Sequence, residues 1–166
     1  STQKLTAIRD VDPIDDAMVL EAGVTLYEAH QQAAKVGRRF TVGVASEGSC
    51  TIGGLVSTNA GGTAVLRYGM MREQVLGIEA VLPNGEIWKG LKRLRKDNTG
   101  YDLKQLLIGA EGTLGVVTAA SLKLHAPLAS RAVAIVGLAS PADAIQLLAR
   151  AKDETGGAVE AFELMG

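Results

Sequence analysis

Two glycine-rich stretches hold the residues whose types and spacing suit chemistry. The first, TIGGLVSTNAGG (51–62), has four glycines, three hydroxyls, one amide and no charge. Amides with no Cβ in front of them converge readily on phosphate oxygens. Thr51, Ser57 and Thr58 add hydroxyl donors, and Asn59 can both donate and accept. Lys and Arg are missing between Phe40 and Leu66, where Glu47 is the only charged residue. An anion held here is therefore gripped by main chain and hydroxyls. The second stretch, GAEGTLGVVT (109–118), places glycine at 109, 112 and 115. A tight turn opening into a strand lets the amides and carbonyls of Val116 and Val117 meet a planar group such as adenine edge-on. Each stretch also has a plainer reading: a close-packed turn for the first, a helix stop before a strand for the second.

Several familiar chemistries are excluded. Gly48 to Gly53 is followed by Gly54 where a phosphate-binding P-loop needs lysine, and no G-x-G-x-x-G fingerprint of a Rossmann fold occurs. No G-x-S-x-G nucleophile elbow is present. His30 and His125 are too far apart for a metal-binding spacing and are expected to be structural or on the surface. Cys50 is the only cysteine, so an intramolecular disulfide and a cysteine-rich zinc site are ruled out. It reads as a small packing residue, since no cation or His is near it in sequence.

The elements that must position these stretches are legible in part. AMVLEAG (17–23) reads as a strand after the turn-like DPIDD. Thr25 and Glu28 form a capping box opening a helix to about Val36, with Gly37 as its stop. No regular period appears from Phe40 to Leu66, and the glycine content argues against a helix there. IEAVLPNGEIWKG (78–90) reads as a hairpin turning at Asn84-Gly85. A helix over about 101–108 stopped by Gly109, and a strand over 115–127, complete this part. Beyond Pro127 the pattern predicts a strand at 131–138, a helix capped by Ser140 with Pro141 at its first position, and a strand at 158–165. One β-α-β unit cannot bury both faces of its strands, so the sequence is expected to be a fragment. Unpaired strands at its ends would make a homo-oligomer possible.

Composition narrows the partners. With 166 residues, 47% apolar, and a net charge of −1, the chain reads as a globular protein without the basic excess that favours nucleic acid or an anionic membrane. Aromatics make up only 4%, which argues against a stacking surface for single strands. No run of about 20 apolar residues exists to span a membrane. The polar N-terminus STQKLTAIRD has no secretory pattern, so a cytoplasmic location, or an organelle matrix after removal of an import peptide, is expected.

STNAGG, RYG and LRKDNTGYDLKQLLIGAEGTLGVVTAASLKL, with the spacing between them, closely resemble the FAD-binding domain of FAD-linked oxidases, the PCMH type shared with vanillyl-alcohol oxidase. Within that superfamily the sequence is most similar to D-2-hydroxyglutarate, D-lactate and glycolate dehydrogenases. The resemblance implies an α+β fold: residues 1–127 as the second subdomain of the FAD-binding domain, and 128–166 as the opening β-α-β of a ferredoxin-like substrate domain. It implies FAD contacts from Ser49, Thr51, Gly53, Gly54, Ser57, Asn59 and Gly61 along the pyrophosphate. Glu111, Gly112, Gly115, Val116 and Val117 would border the ribose and adenine. It implies oxidation of a small D-2-hydroxy acid by hydride transfer to flavin N5, with electrons passing to an unnamed acceptor. A glycolate oxidase-type subunit, or a scaffold that does not retain FAD, are the alternatives. The family's first phosphate loop would precede residue 1, and its substrate and metal ligands would follow Gly166, so no catalytic or metal-binding residue is expected within 1–166.

Other residues carry plainer expectations. Arg67 reads as pairing with a local acid, with an anionic substrate as the alternative. Lys92, Arg93, Arg95 and Lys96 read as a solvated connection after the hairpin. Tyr101 and Asp102 are expected to cap and pack the following helix, and Trp88 to pack.

Overall fold

A computed structural model describes residues 1–166. Five strands form one antiparallel sheet: β1 (Ile8–Asp12), β2 (Ala17–Glu21), β3 (Val75–Val81), β4 (Ile87–Gly90) and β5 (Val116–Lys123), in the order β1-β2-β5-β3-β4. The last strand in sequence is thus the middle one in space. It pairs Met18 with Leu122 on one side and Ile78 with Ala120 on the other.

The helices are α1 (Leu26–Lys35), α2 (Ile52–Ser57), α3 (Val65–Tyr68), α4 (Met71–Gln74), α5 (Lys104–Leu107) and α6 (Pro141–Glu154). The capping box that opens α1 is present, with Thr25 Oγ1 accepting from Glu28 N–H and Glu28 Oε2 accepting from Thr25 N–H. Leu26, Ala29 and Ala33 recur at helical spacing and are fully buried. They join Met18 and Leu20 of β2, Ile78 of β3, Leu122 of β5 and Ile52, Leu55 and Val56 of α2 in one core on one face of the sheet.

The structure departs from the sequence reading at four places. β1 forms although its alternation is weak, because its residues pair with β2 across the Pro13–Asp16 turn. The glycine-rich stretch does contain a helix, α2, short enough that Thr51 at its cap and three apolar residues on its core side outweigh two glycines. The expected helix over 101–108 is a single turn, α5, and Tyr101 is 95% exposed and neither caps nor packs it. Asp102 does meet that turn, accepting from Gln105 Nε2 at 3.0 Å and Lys104 Nζ at 2.6 Å. Beyond Pro127, α6 forms with the expected Ser140 cap and Pro141, but 131–138 and 158–165 join no ladder. They have no neighbouring strand to satisfy their backbone groups, and Val133 and Ile135 stay more than four-fifths exposed.

The basic run 92–96 is largely exposed, as expected of a connection after the hairpin, and it also makes contacts the sequence did not indicate. Leaving the edge strand β4, it crosses the second face of the sheet. Gly77 of β3 lies so close beneath it that a Cβ there would stand 2.4 Å from Gly90 O and Lys92 N. Arg93 pairs with Asp10 and Asp12, and Lys92 with Asp97 at 2.6 Å. On the same face Arg9 bridges Glu21 and Glu79, each at 3.1 Å. Trp88 packs beside the core as expected.

Candidate functional site

The two glycine-rich stretches meet. α2 ends with Val56 O accepting from Gly109 N–H at 3.1 Å and Ser57 O from Glu111 N–H at 2.9 Å. The start of α2 is fixed by Ala22, whose O accepts from Gly53 N–H and whose N–H donates to Thr118 O, each at 2.8 Å. Ser57, Asn59 and Glu111, far apart in sequence, therefore share one surface beside the start of β5.

Arg72 locks that arrangement. Its backbone N–H donates to Asn59 Oδ1 at 2.9 Å, and its guanidinium donates to Gln105 O at 2.9 Å and Ile108 O at 2.6 Å. One residue thus holds the loop after α2 with its backbone and the turn after α5 with its side chain. A Cβ on Gly109 would stand 3.3 Å from both Arg72 and Asn59, which shows how closely the three pack. Sequence alone did not single out Arg72 for this, since its partners are carbonyls brought from elsewhere in the chain.

Two non-glycine residues of the site sit in the left-handed region, Asn59 at φ 47° and Glu111 at φ 50°. Asn tolerates this conformation, and its amide is secured by Arg72. Glu111 does so at a cost, held by its bond to Ser57.

Main-chain groups are open at this surface. The N–H groups of Gly43, Val44, Gly61, Gly62 and Gly112 donate to nothing in the protein, whereas Gly115 is buried, with Val81 O 2.9 Å from where its Cβ would stand. β2 ends opposite Ala119, so Val116 and Val117 have a strand neighbour on the β3 side only. Val116 is half exposed, while Val117 is buried. No Lys or Arg lies within 40–66 or 105–122, so donors here are uncharged, with Glu47 and Glu111 the only acids.

Not every candidate faces this surface. Gly53 is buried, and a Cβ there would stand 2.7 Å from Ala22 Cβ, so packing alone accounts for that glycine. Gly62 likewise abuts the Gly43 backbone, where an added Cβ would stand 2.8 Å from both N and O. Gly54 and Gly61 are exposed, with room for a Cβ at ordinary contact distance. Thr51 caps α2 by accepting from Gly54 N–H at 3.4 Å. Ser49 lies in a turn tied to the start of α1, where Cys50 O and Glu47 O accept from Leu26 and Tyr27 N–H. Cys50 packs half-buried beside the core.

Both histidines are structural. His30 Nε2 lies 2.8 Å from Val42 O and its Nδ1 3.3 Å from Glu47, pinning the loop to α1. His125 Nε2 donates to Gln74 Oε1 at 3.0 Å, which also accepts from Thr41 Oγ1 at 3.2 Å. Tyr68 packs edge-on against His125, and Arg39 and Arg67 flank its ring. Arg67 pairs with an acid as expected, but the partner is the distant Glu160, at 3.9 Å, which Arg39 also holds at 2.9 Å. No helix is long and apolar enough to cross a membrane.

Comparison with known proteins bears on this surface. The model of a family described as FAD binding domain matches residues 1–90. D-2-hydroxyglutarate–pyruvate transhydrogenase of Saccharomyces cerevisiae is 46% identical over 99% of the chain and 33% of its own length. Mitochondrial D-2-hydroxyglutarate dehydrogenase of Bos taurus is 41% identical over 99% of the chain and 30% of its own length. The chain thus spans about a third of the length of these relatives. Among solved structures, alkyldihydroxyacetonephosphate synthase superposes with a TM-score of 0.64 at 27% identity, over 75% of this chain and 22% of that one. An uncharged, amide-lined surface suits a dinucleotide's diphosphate, and the match over more than half the chain accords with it: the protein belongs to the family of FAD-binding domains.

Proposed function

We propose that the chain forms the FAD-holding part of a dehydrogenase for a D-2-hydroxy acid of the D-2-hydroxyglutarate or D-lactate type. The observation that carries this reading is the open main chain at one surface: free amides at the exposed Gly61 and Gly112, and a strand start at the half-exposed Val116 lacking a β2 neighbour. Gly54, Ser57, Asn59 and Gly61 would hold the diphosphate. Glu111, Gly112, Gly115, Val116 and Val117 would border the ribose and adenine. Bound FAD supplies the redox chemistry, accepting hydride from the substrate α-carbon at flavin N5. The chain's own part is to bind and orient, with Arg72 keeping the two stretches in register. The names of the yeast and bovine relatives support the substrate class, and the bovine name supports a mitochondrial location.

Titrating the chain with FAD while following flavin fluorescence tests the reading. Saturable quenching supports it, and a flat trace favours a scaffold that does not retain FAD. Packing of Gly53 and Gly62 against backbone is the observation that favours the scaffold. Turnover of D-2-hydroxyglutarate, D-lactate and glycolate by the intact protein separates the substrates, and inactivity on all three discards the class.

A further inference from the structure

A cavity of about 260 Å³ opens where the basic crossing 92–96 passes the ends of β3 and β5. Its floor is Val75, Leu76 and Leu94, and its polar wall is Arg72, Arg95, Lys104 and Lys123 with Glu73 the single acid. Most cations elsewhere in this fold are paired: Arg9, Arg38, Arg39, Lys92 and Arg93 each meet a carboxylate. Around this cavity only Lys104 does, with Asp102 at 2.6 Å. Arg72 is spent on carbonyls and Gln105, Lys123 Nζ donates to the Glu73 carbonyl, and Arg95 reaches only Asp16 O at 3.4 Å. Three cations without a carboxylate partner therefore converge on one hollow.

Such a concentration of like charge is unfavourable unless something offsets it. Burial first, and then the Arg95 guanidinium, hold the Lys123 ammonium below the ordinary lysine range. Arg72 and Lys123 are fixed by their carbonyl partners, so two of the charges are already oriented without a ligand. Arg95, exposed and held only by Asp16 O, is the adjustable cation, and Lys104 turns to a ligand only by exchanging Asp102. The cavity lies at the Val75–Leu122 end of the β3–β5 ladder, while the surface assigned to FAD adjoins its Val81–Val116 end. A second hollow of about 340 Å³ adjoins it, sharing Leu76, Leu94, Arg95 and Lys104, and includes Trp88.

We propose that this cavity binds a compact multivalent oxyanion, bearing two or more phosphate or carboxylate groups, separately from FAD. Arg72 and Lys123 form the fixed inner wall, and Arg95 and Lys104 close on the ligand from the mouth. The volume admits a small molecule and no macromolecule.

Trp88 is the only tryptophan in the chain and lies in the adjoining hollow, so its fluorescence reports locally. Titration of the chain with inorganic pyrophosphate and with citrate, at matched ionic strength, should give a saturable change with at least one of them. Tighter pyrophosphate identifies a phosphate ligand and tighter citrate a polycarboxylate. The double substitution Arg95→Gln, Lys104→Gln should weaken that response at least tenfold. Removing the same charge on α6, by Arg150→Gln with Lys152→Gln, should leave it unchanged, as should Gly61→Ala at the FAD surface. Absence of saturation with both anions, equal affinity in the Arg95→Gln, Lys104→Gln protein, or loss of the response in the Gly61→Ala protein would each overturn the proposal. Circular dichroism of each variant confirms that a lost response is not lost folding. Because FAD binding is followed by flavin fluorescence, failure of either site leaves the other's result intact.

Discussion

Single glycines in this site have different jobs, and the positions can be told apart. Gly53 has no room for a Cβ, since Ala22 Cβ would lie at 2.7 Å and is anchored in the sheet. Gly61 has room, its nearest neighbours being Met70 Cε at 3.5 Å and Val65 Cγ2 at 3.7 Å. Gly53→Ala should therefore destabilise by about 1–3 kcal/mol through overpacking, with or without cofactor. Gly61→Ala should leave the melting temperature of the cofactor-free protein within about 1–2 °C of the parent, a surface-type effect. It should nevertheless weaken FAD by about tenfold if a free amide and bare Cα are what the ligand meets, a loss near 1.4 kcal/mol. Thermal melts and flavin titrations on the two proteins read both effects. Equal FAD affinity in the Gly61→Ala protein would remove that residue from the cradle.

At the level of elements, the site depends on how α2 and the turn before β5 are sewn together. The backbone bonds from Gly109 and Glu111 reach the end of α2 directly, and Arg72 on α4 adds its backbone N–H to Asn59 and its guanidinium to Ile108 O. Replacing it with leucine would strand the carbonyls of Gln105 and Ile108, while the backbone N–H at 72 would still donate to Asn59 Oδ1. Arg72→Leu should cost about 2–3 kcal/mol, as for charge-assisted bonds to part-buried acceptors. FAD affinity should fall with it, because the turn carrying Gly109 and Glu111 then loses the tie of Ile108 O to the guanidinium. Urea denaturation together with FAD titration checks this. A variant of full stability and full affinity would show that the two stretches hold their register without Arg72.

Over the whole molecule, His125 joins segments that lie far apart in sequence: it bridges Arg39, contacts Tyr68 and bonds Gln74. Burial first, then Arg95, Arg39 and Lys123, make its ring harder to protonate than an ordinary histidine, with Asp16 opposing. The unfolded chain takes up this proton near the ordinary value of about 6.5, whereas the folded chain resists until lower pH. Stability from the neutral ring is thus complete above that value and is lost as pH falls below it toward the folded value. The melting temperature should drop by a few degrees from about pH 7.5 to about pH 5.5, and His125→Gln should flatten that slope. An unchanged slope in the variant would move the effect to other groups.

Local signals in the chain were enough for several elements: the Thr25–Glu28 box for α1, Asn84-Gly85 for the hairpin, Ser140-Pro141 for α6 and alternation for β5. The chemistry of the candidate site was legible for the same reason, since glycine, hydroxyl and missing charge are properties of residues within one stretch. Tertiary structure alone decided which glycines face a ligand and which face Ala22 or Gly43, because that depends on a neighbour brought from elsewhere in the chain. It also decided that β5 lies at the centre of the sheet and that Arg72 ties two loops. It further decided that the exposed basic run crosses the sheet and brings Arg95 beside Arg72, Lys104 and Lys123 at one cavity. Sequence encodes what a backbone segment prefers locally; only packing brings distant segments into contact and sets what each preference is used for.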